Sequence, residues 1–162
     1  MTSMFIKFEN PSITGASELP GHVGEIEVLS WSHGFVQPTS ATRSSAGGGT
    51  VEQATHQNLT FTKYLDRTTN EMLRLNWTGT QIGKATLTCF RSDNPSGINP
   101  LLYLTVAMEH VIVANYSVSG VPGDVPVENI SLDYGIVQYT YIDQKRGDSV
   151  STQHNLETRS VK

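Results

Sequence analysis

Cysteine occurs once in this 162-residue chain, at Cys89. No intrachain disulfide can form, so the fold has to rest on packing, as in a reducing compartment or in a protein that needs no staples. Charge is scarce as well: Asp, Glu, Lys and Arg together make 16% of the chain, and the formal net charge is −4. The basic residues are scattered, with only "QKRG" (Gln144–Gly147) holding two in a row. A nucleic-acid groove would need a basic patch, so that class is set aside. No apolar run approaches the roughly 20 residues that span a bilayer, so no membrane insertion is expected. The start, "MTSMFIKFENP", lacks a basic segment followed by an apolar one. No secretory leader is expected. The protein is expected to be made as a soluble cytoplasmic chain, and any export has to use a route that reads no such signal.

Catalytic patterns are missing too. "GTQIGKA" (Gly79–Ala85) has three residues between its glycines where a phosphate loop needs four, and Ala85 stands where Ser or Thr would bind magnesium. The histidines (His22, His33, His56, His110 and His154) show no spacing suited to a metal, and neighbours such as Glu109 and His110 would point to opposite faces of a strand. Surface or internally satisfied histidines are expected instead. Cys89 lies mid-strand on the face of Ala85 and Leu87, the setting of a buried, inert thiol. There is no G-x-S-x-G elbow. No cofactor and no catalysis are expected. Four sequons, at Asn58, Asn76, Asn115 and Asn129, read as by-products of Thr- and Ser-rich strands in a chain without a secretion signal.

What is present is strand chemistry. Hydrophobic residues make 37% of the chain, enough for the core of one domain. "SMFIKF" is a first strand closed by the turn "ENP". In "GEIEVLSWSHGF" (Gly24–Phe35), Ile26 and Val28 share one face; the phase then slips, so that Leu29 and Trp31 are the apolar members. Such a slip predicts a bulge or strong bend. "NLTFTKYLD" places Leu59, Phe61 and Leu65 on one face. "TTNEMLRLNWTG" predicts the one good helix. Thr68 and Glu71 form a capping box, Met72 with Leu75 and Leu73 with Trp77 are helically spaced, and Gly79 is the stop. "KATLTCFRS" alternates again. Leu101–Gly120 reads as one long or two abutting strands kinked near Glu109–His110. In Val127–Ile142 the apolar phase passes from Ile130, Leu132 and Tyr134 to Val137, Tyr139 and Tyr141 across Gly135, the mark of a bulge or corner. Seven or eight strands with one helix predict a mainly β fold: a small closed barrel or two-sheet sandwich. The whole chain, 1–162, is taken as one domain.

Two features remain. Ser30 and Ser32, Thr60 and Thr62, and Thr86 and Thr88 form polar stripes opposite the apolar ones. They suit either a solvated outer face or the lining of an aqueous space made by several subunits. The arm "FVQPTSATRSSAGGGTVEQATHQN" (Phe35–Asn58) is nearly free of apolar residues. Loops beyond about 12–15 residues are uncommon in compact domains and are usually functional or disordered.

"MFIKF", "EIEVLSWSHG", the Gly/Ser arm, "LTFTKYLDRTTNEML" followed by "KATLT", and "ENISLDYGIVQYTYI" together resemble the haemolysin-coregulated protein (Hcp) family, from about Met4 to about Gln144. The resemblance implies a tail-tube-like β fold with one flanking helix, forming hexameric rings that stack into the inner tube of a type VI secretion system. It implies further copies of the chain, a contracting sheath, a spike and lumen-held effector proteins as partners. By the same resemblance Ser30 and Ser32 are candidate lumen residues, Ser32 the first choice for cargo contact. His33 stands where the family more often has an aromatic. The arm, about 37–56, is expected to dock on a neighbouring subunit or ring, with Gly47, Gly48 and Gly49 giving it freedom to adapt. The rival readings are a monomeric barrel for a small apolar ligand, an enzyme with a site shared between subunits, and a tail-tube protein of a phage-like contractile device.

Overall fold

Alternating β-branched and aromatic residues give the chain its elements, and two long kinked strands organise them. A computed structural model describes residues 2–18, 21–38, 54–91, 101–143 and 147–162. The strands are β1 (Thr2–Glu9), β2 (Ile26–Glu27), β3 (Ser30–Ser32), β4 (Phe35–Val36), β5 (Thr55–His56), β6 (Leu59–Tyr64), β7 (Ile82–Arg91), β8 (Leu101–Ser119), β9 (Val127–Asp133), β10 (Ile136–Ile142), β11 (Ser149–Asn155) and β12 (Ser160–Val161), with one helix, α1 (Thr69–Thr78), between β6 and β7. Ten strands belong to one hydrogen-bonded system, and β4–β5 form a separate ladder.

That system folds over into two layers because β8 serves both. Its first half pairs with β7 and β10; its second half, from Ile112, pairs with β9. One layer runs β12-β11-β10-β8-β7-β1-β2, and the other adds β9, β6 and β3. The change of partner falls at the predicted kink. His110 sits at φ 54°, a left-handed conformation that non-glycine residues rarely adopt. Directly opposite, β9 ends and β10 begins around Gly135, whose N–H donates to the Glu109 carbonyl at 3.0 Å. A Cβ at Gly135 would come within 3.3 Å of the His110 Cβ and 2.7 Å of a Glu157 carboxylate oxygen, so the two bends are closely nested there. Since a β-branched residue tolerates positive φ worst, His110→Val is expected to lower unfolding free energy by about 1–2 kcal/mol. His110→Gly should cost no more than the exposed His110–Glu157 pair, under about 1 kcal/mol. Urea titration measures both, and equal midpoints would show the bend to be unstrained.

The phase slip after Val28 is also resolved. Ile26 and Val28 are buried, and the Val28 N–H donates to the Met4 carbonyl of β1 at 2.9 Å; one residue on, Leu29 donates to the Thr62 carbonyl of β6 at 2.8 Å. The chain crosses from one layer to the other at that point. β2 and β3 are consecutive along this crossing and share no ladder, so the sheets form a sandwich, not a closed barrel. Ile6, Phe8, Leu59, Phe61, Met108 and Ile130 fill the space between the layers.

The helix lies on β8, burying Met72 and Leu75, with Asn76 Nδ2 donating to the Val113 carbonyl at 2.9 Å. Gly79 ends it in the left-handed conformation, φ 66°. The predicted capping box does not form. Thr68 makes no side-chain cap; its hydroxyl and its N–H both donate to Asp66 Oδ1, at 2.5 and 2.8 Å. Glu71 turns outward to Arg74. Asp66, two residues earlier, thus takes over the turn that leads into the helix. Trp77, predicted to pair with Leu73, is 76% exposed.

Candidate functional site: a polar sheet face and a histidine–tyrosine network

Strand alternation sorts β6 cleanly: Leu59, Phe61 and Lys63 point into the sandwich, Thr60 and Thr62 away from it. Register carries the same sorting across the neighbours. Ser32 lies opposite Thr60, Thr60 opposite Ser131, and Ser131 opposite Asn115. One step along, Ser30, Thr62, Asn129 and Ser117 line up in the same way. Two rows across four strands therefore hold hydroxyls and amides only, without charge. Ser30 and Ser32 are exposed at the β3 end, joined to the rest by a 2.6 Å Ser30–Thr62 hydroxyl bond. Thr60 and Ser131 share a second bond of 2.9 Å. Each hydroxyl can donate or accept, so the face offers weak, adaptable contacts and no activated nucleophile. Thr86 and Thr88, the third polar stripe, lie on β7 in the other layer. Gly47, Gly48 and Gly49 lie outside the described residues, as does the middle of the arm.

The arm's base is described, and it is built on side chains whose sequence spacing suggested nothing. β4 and β5 pair Phe35 with His56 and Val36 with Thr55, forming a stem. His33, just before it, places Nδ1 2.5 Å from the Tyr139 hydroxyl and Nε2 2.6 Å from the Tyr134 hydroxyl. Tyr134 also reaches His56 Nδ1 at 2.7 Å, and His56 Nε2 lies 2.6 Å from His154 Nδ1. The Phe35 ring sits among them, with centroids 4.4 Å from His33 and 4.9 Å from His56. Burial, then the charge of His56, lowers the His33 pKa to about 4, against an opposing Gln57 main-chain bond. Burial and then His154 lower His56. Burial raises both phenols, Tyr139 to about 12, with Cys89 adding to it. The rings bond to each other and to hydroxyls; among the described residues no group of three or more His, Cys, Asp or Glu side chains is placed to hold a metal ion. The remaining histidines are paired locally, His22 with Glu25 at 2.6 Å and His110 with Glu157 at 2.8 Å. Cys89 is fully buried, and burial raises its thiol above the ordinary value despite bonds from Trp31 and Tyr103, which keeps it unreactive.

Among the described residues no helix is long and apolar enough to cross a membrane. Among the described residues a two-layer sandwich with a filled core, one small helix and an uncharged polar face define a mainly β protein. Comparison with known proteins makes this specific. The family model described as "Type VI secretion system effector, Hcp" matches residues 5–141, and the chain belongs to this family, as a structural subunit of the type VI secretion tube. The Protein hcp1 of Pseudomonas aeruginosa is 34% identical over 143 residues, covering 88% of this chain and 84% of that protein. The crystal structure of Hcp1 from Salmonella typhimurium superposes with a TM-score of 0.81 at 26% identity, over 99% of both chains. A chain of the anti-feeding prophage baseplate, from a six-fold symmetrised cryo-EM structure, shares the fold at 12% identity and TM-score 0.54, over 85% of this chain and 91% of that one.

Proposed function

We propose that six copies of this chain, read as a single domain over 1–162, close into a ring. The two uncharged rows of β3, β6, β9 and β8 face the lumen, and rings stack into the tube. The observation that carries this reading is the face itself: eight neighbouring outward positions on four strands without one charge or large apolar side chain. A wall past which other proteins must move gains from contacts that are numerous, weak and chemically neutral. The fold shared with a baseplate of six-fold symmetry supports the ring geometry. On this reading the partners are further copies, the sheath, the spike and effectors carried in the lumen. The protein acts by assembly without catalysis or cofactor, and it leaves the cell through the system it builds. Its arm, about 37–56, docks on a neighbouring copy, with Gly47, Gly48 and Gly49 as contact points. Ring closure through strand edges also hides their unpaired N–H and C=O groups. Against a small-ligand barrel, the space between the layers is already occupied by core side chains.

Ser30→Arg and Ser32→Arg test the lumen. Both residues are exposed, so folding and ring size on gel filtration should persist, while effector co-purification falls by at least about tenfold, because a fixed charge disfavours partners that cannot pair it. Thr86→Arg, on the other layer, should leave co-purification unchanged. Equal loss in all three variants would show that this face is not the lumen. Deleting Thr42–Thr50 tests the arm: rings and tubes forming as before in electron micrographs would refute its docking.

A further inference from the structure

The network at the base of the arm has a feature that its bonding alone reveals. Four hydrogen bonds link Tyr139, His33, Tyr134, His56 and His154 in series. With every ring neutral, the protons suffice: Tyr139 donates to His33, His33 to Tyr134, Tyr134 to His56, and His56 to His154. One added proton can still be placed by reversing part of the chain. A second cannot be placed between His56 and His154, where two N–H groups would face each other across 2.6 Å. On His33 and His56 together it would put two cations on either side of one phenol. We propose that these five side chains form a proton-operated latch, which fixes the β4–β5 stem on the sandwich when the imidazoles are neutral and frees it on acidification.

The surroundings support this. The stem carries His56 and Phe35; His33 precedes it; Tyr134 and Tyr139 come from the β9–β10 turn and β10, and His154 from β11. Among the described residues no carboxylate is hydrogen-bonded to the three imidazoles. Asp133 accepts the Tyr134 N–H at 2.9 Å, and its charge opposes ionisation of that phenol. Cys89, on β7, acts on Tyr139 in the same sense. Glu157 is taken by His110, and Glu109 lies opposite Ile136 at the bend. Histidines whose protonation is disfavoured in the docked state lend docking a stability that is complete above the free-imidazole value, about 6.5, and that declines as pH falls below it. For His33, held at about 4, the decline is complete near that pH. Its share alone raises the released population about tenfold between pH 7.5 and 5.5. The latch stands on the network and holds whether or not the arm docks on a second copy.

Amide hydrogen exchange and histidine ring NMR on the full chain test it. Protection of the Gln57 amide, which donates to the Gly34 carbonyl at the base of the stem, should fall at least about tenfold from pH 7.5 to 5.5. Core amides of β7 and β8 should keep theirs. Tyr134→Phe removes the hydroxyl that bridges two imidazoles, so the stem should be poorly protected at pH 7.5 and nearly indifferent to pH. In the wild type, stem protection that tracks the core from pH 7.5 to 4.5 while His33 and His56 protonate would overturn the proposal. So would ordinary titration of both rings near 6.5 with the stem still held.

Discussion

Lys63→Ala is expected to lower the unfolding free energy by about 3–5 kcal/mol, the range for removing one partner of a buried ion pair. Lys63 is 1% exposed and Glu128 is not exposed at all. The ammonium donates to Glu128 Oε1 at 2.6 Å, to Asp66 Oδ1 at 2.9 Å and to the Tyr64 carbonyl at 3.2 Å, which uses all three of its protons. Glu128 Oε1 also accepts from Thr69 Oγ1 at 2.9 Å, in the first turn of α1. One cation thus joins β6, β9 and the start of the helix. Without it a carboxylate is stranded in the core beside Tyr116, whose phenol is already raised, by burial first and then by Glu128. No geometrically sound bond joins those two groups: Glu128 Oε2 and the Tyr116 hydroxyl have no hydrogen-bond partner among the described residues, so the carboxylate acts on the phenol through its charge. Lys63→Leu with Glu128→Leu should recover part of the loss, since it strands no charge in the core and leaves Asp66, which loses its cation, with its two Thr68 bonds. Urea unfolding with an unchanged m-value is the measurement. A cost under about 1 kcal/mol for Lys63→Ala would show that the pair does not clasp these elements. The acid limb adds a check. Burial works against ionising Asp66, but the Thr68 hydroxyl and Lys63 outweigh it and hold the carboxyl below its usual range. Stability is therefore full above the ordinary aspartate value, about 3.9, and lost as pH falls below it. Lys63→Ala should flatten that limb.

This clasp shows how far the sequence could be read. Lys63 shares parity with Leu59 and Phe61, and Glu128 with Ile130 and Leu132, so both charges stood on the inward phase. The same parity extends to Leu65, which is 42% exposed. A charge of each sign on two inward phases was the available signal, but only the β6–β9 register, Lys63 opposite Glu128, makes them a pair. Local features were legible because local physics sets them: the slip at Leu29, the kink at Glu109–His110 and the switch at Gly135 each show as a break in period two. The capping box failed because Asp66 competes for Thr68 from outside the helix. The histidine–tyrosine network was beyond reach. His33 meets Tyr139 across 106 positions and His56 meets His154 across 98, and no spacing rule links residues that only the fold brings together. The polar face lay between these cases. Ser30, Ser32, Thr60 and Thr62 could be read from alternation, while Asn115, Ser117, Asn129 and Ser131 needed the register.

Phe61→Ala is expected to cost about 3–5 kcal/mol, and its neighbour Thr62→Val less than about 0.5 kcal/mol. The contrast tests the alternation on which the polar face depends. Phe61 is fully buried and lies between Trp31 of β3 and Ile130 of β9 in register. Truncation removes the ring's contacts and leaves a cavity that three hydrogen-bonded strands cannot close. Thr62 points the other way, and its hydroxyl meets only the exposed Ser30 in the described bonds. Replacing it with valine keeps the β-branched shape that the strand favours. The two effects also differ in kind. Thr62→Val should leave unfolding untouched and place one apolar group in the uncharged rows. Phe61→Ala should loosen β3, the strand that presents Ser30 and Ser32, because Trp31 packs on the core beside it. Denaturant titration reads the stability difference, and amide exchange along Ser30–Ser32 reads the loosening. Similar costs for the two substitutions would mean that β6 has slipped by one residue, which would turn Thr60 and Thr62 inward and dissolve the face.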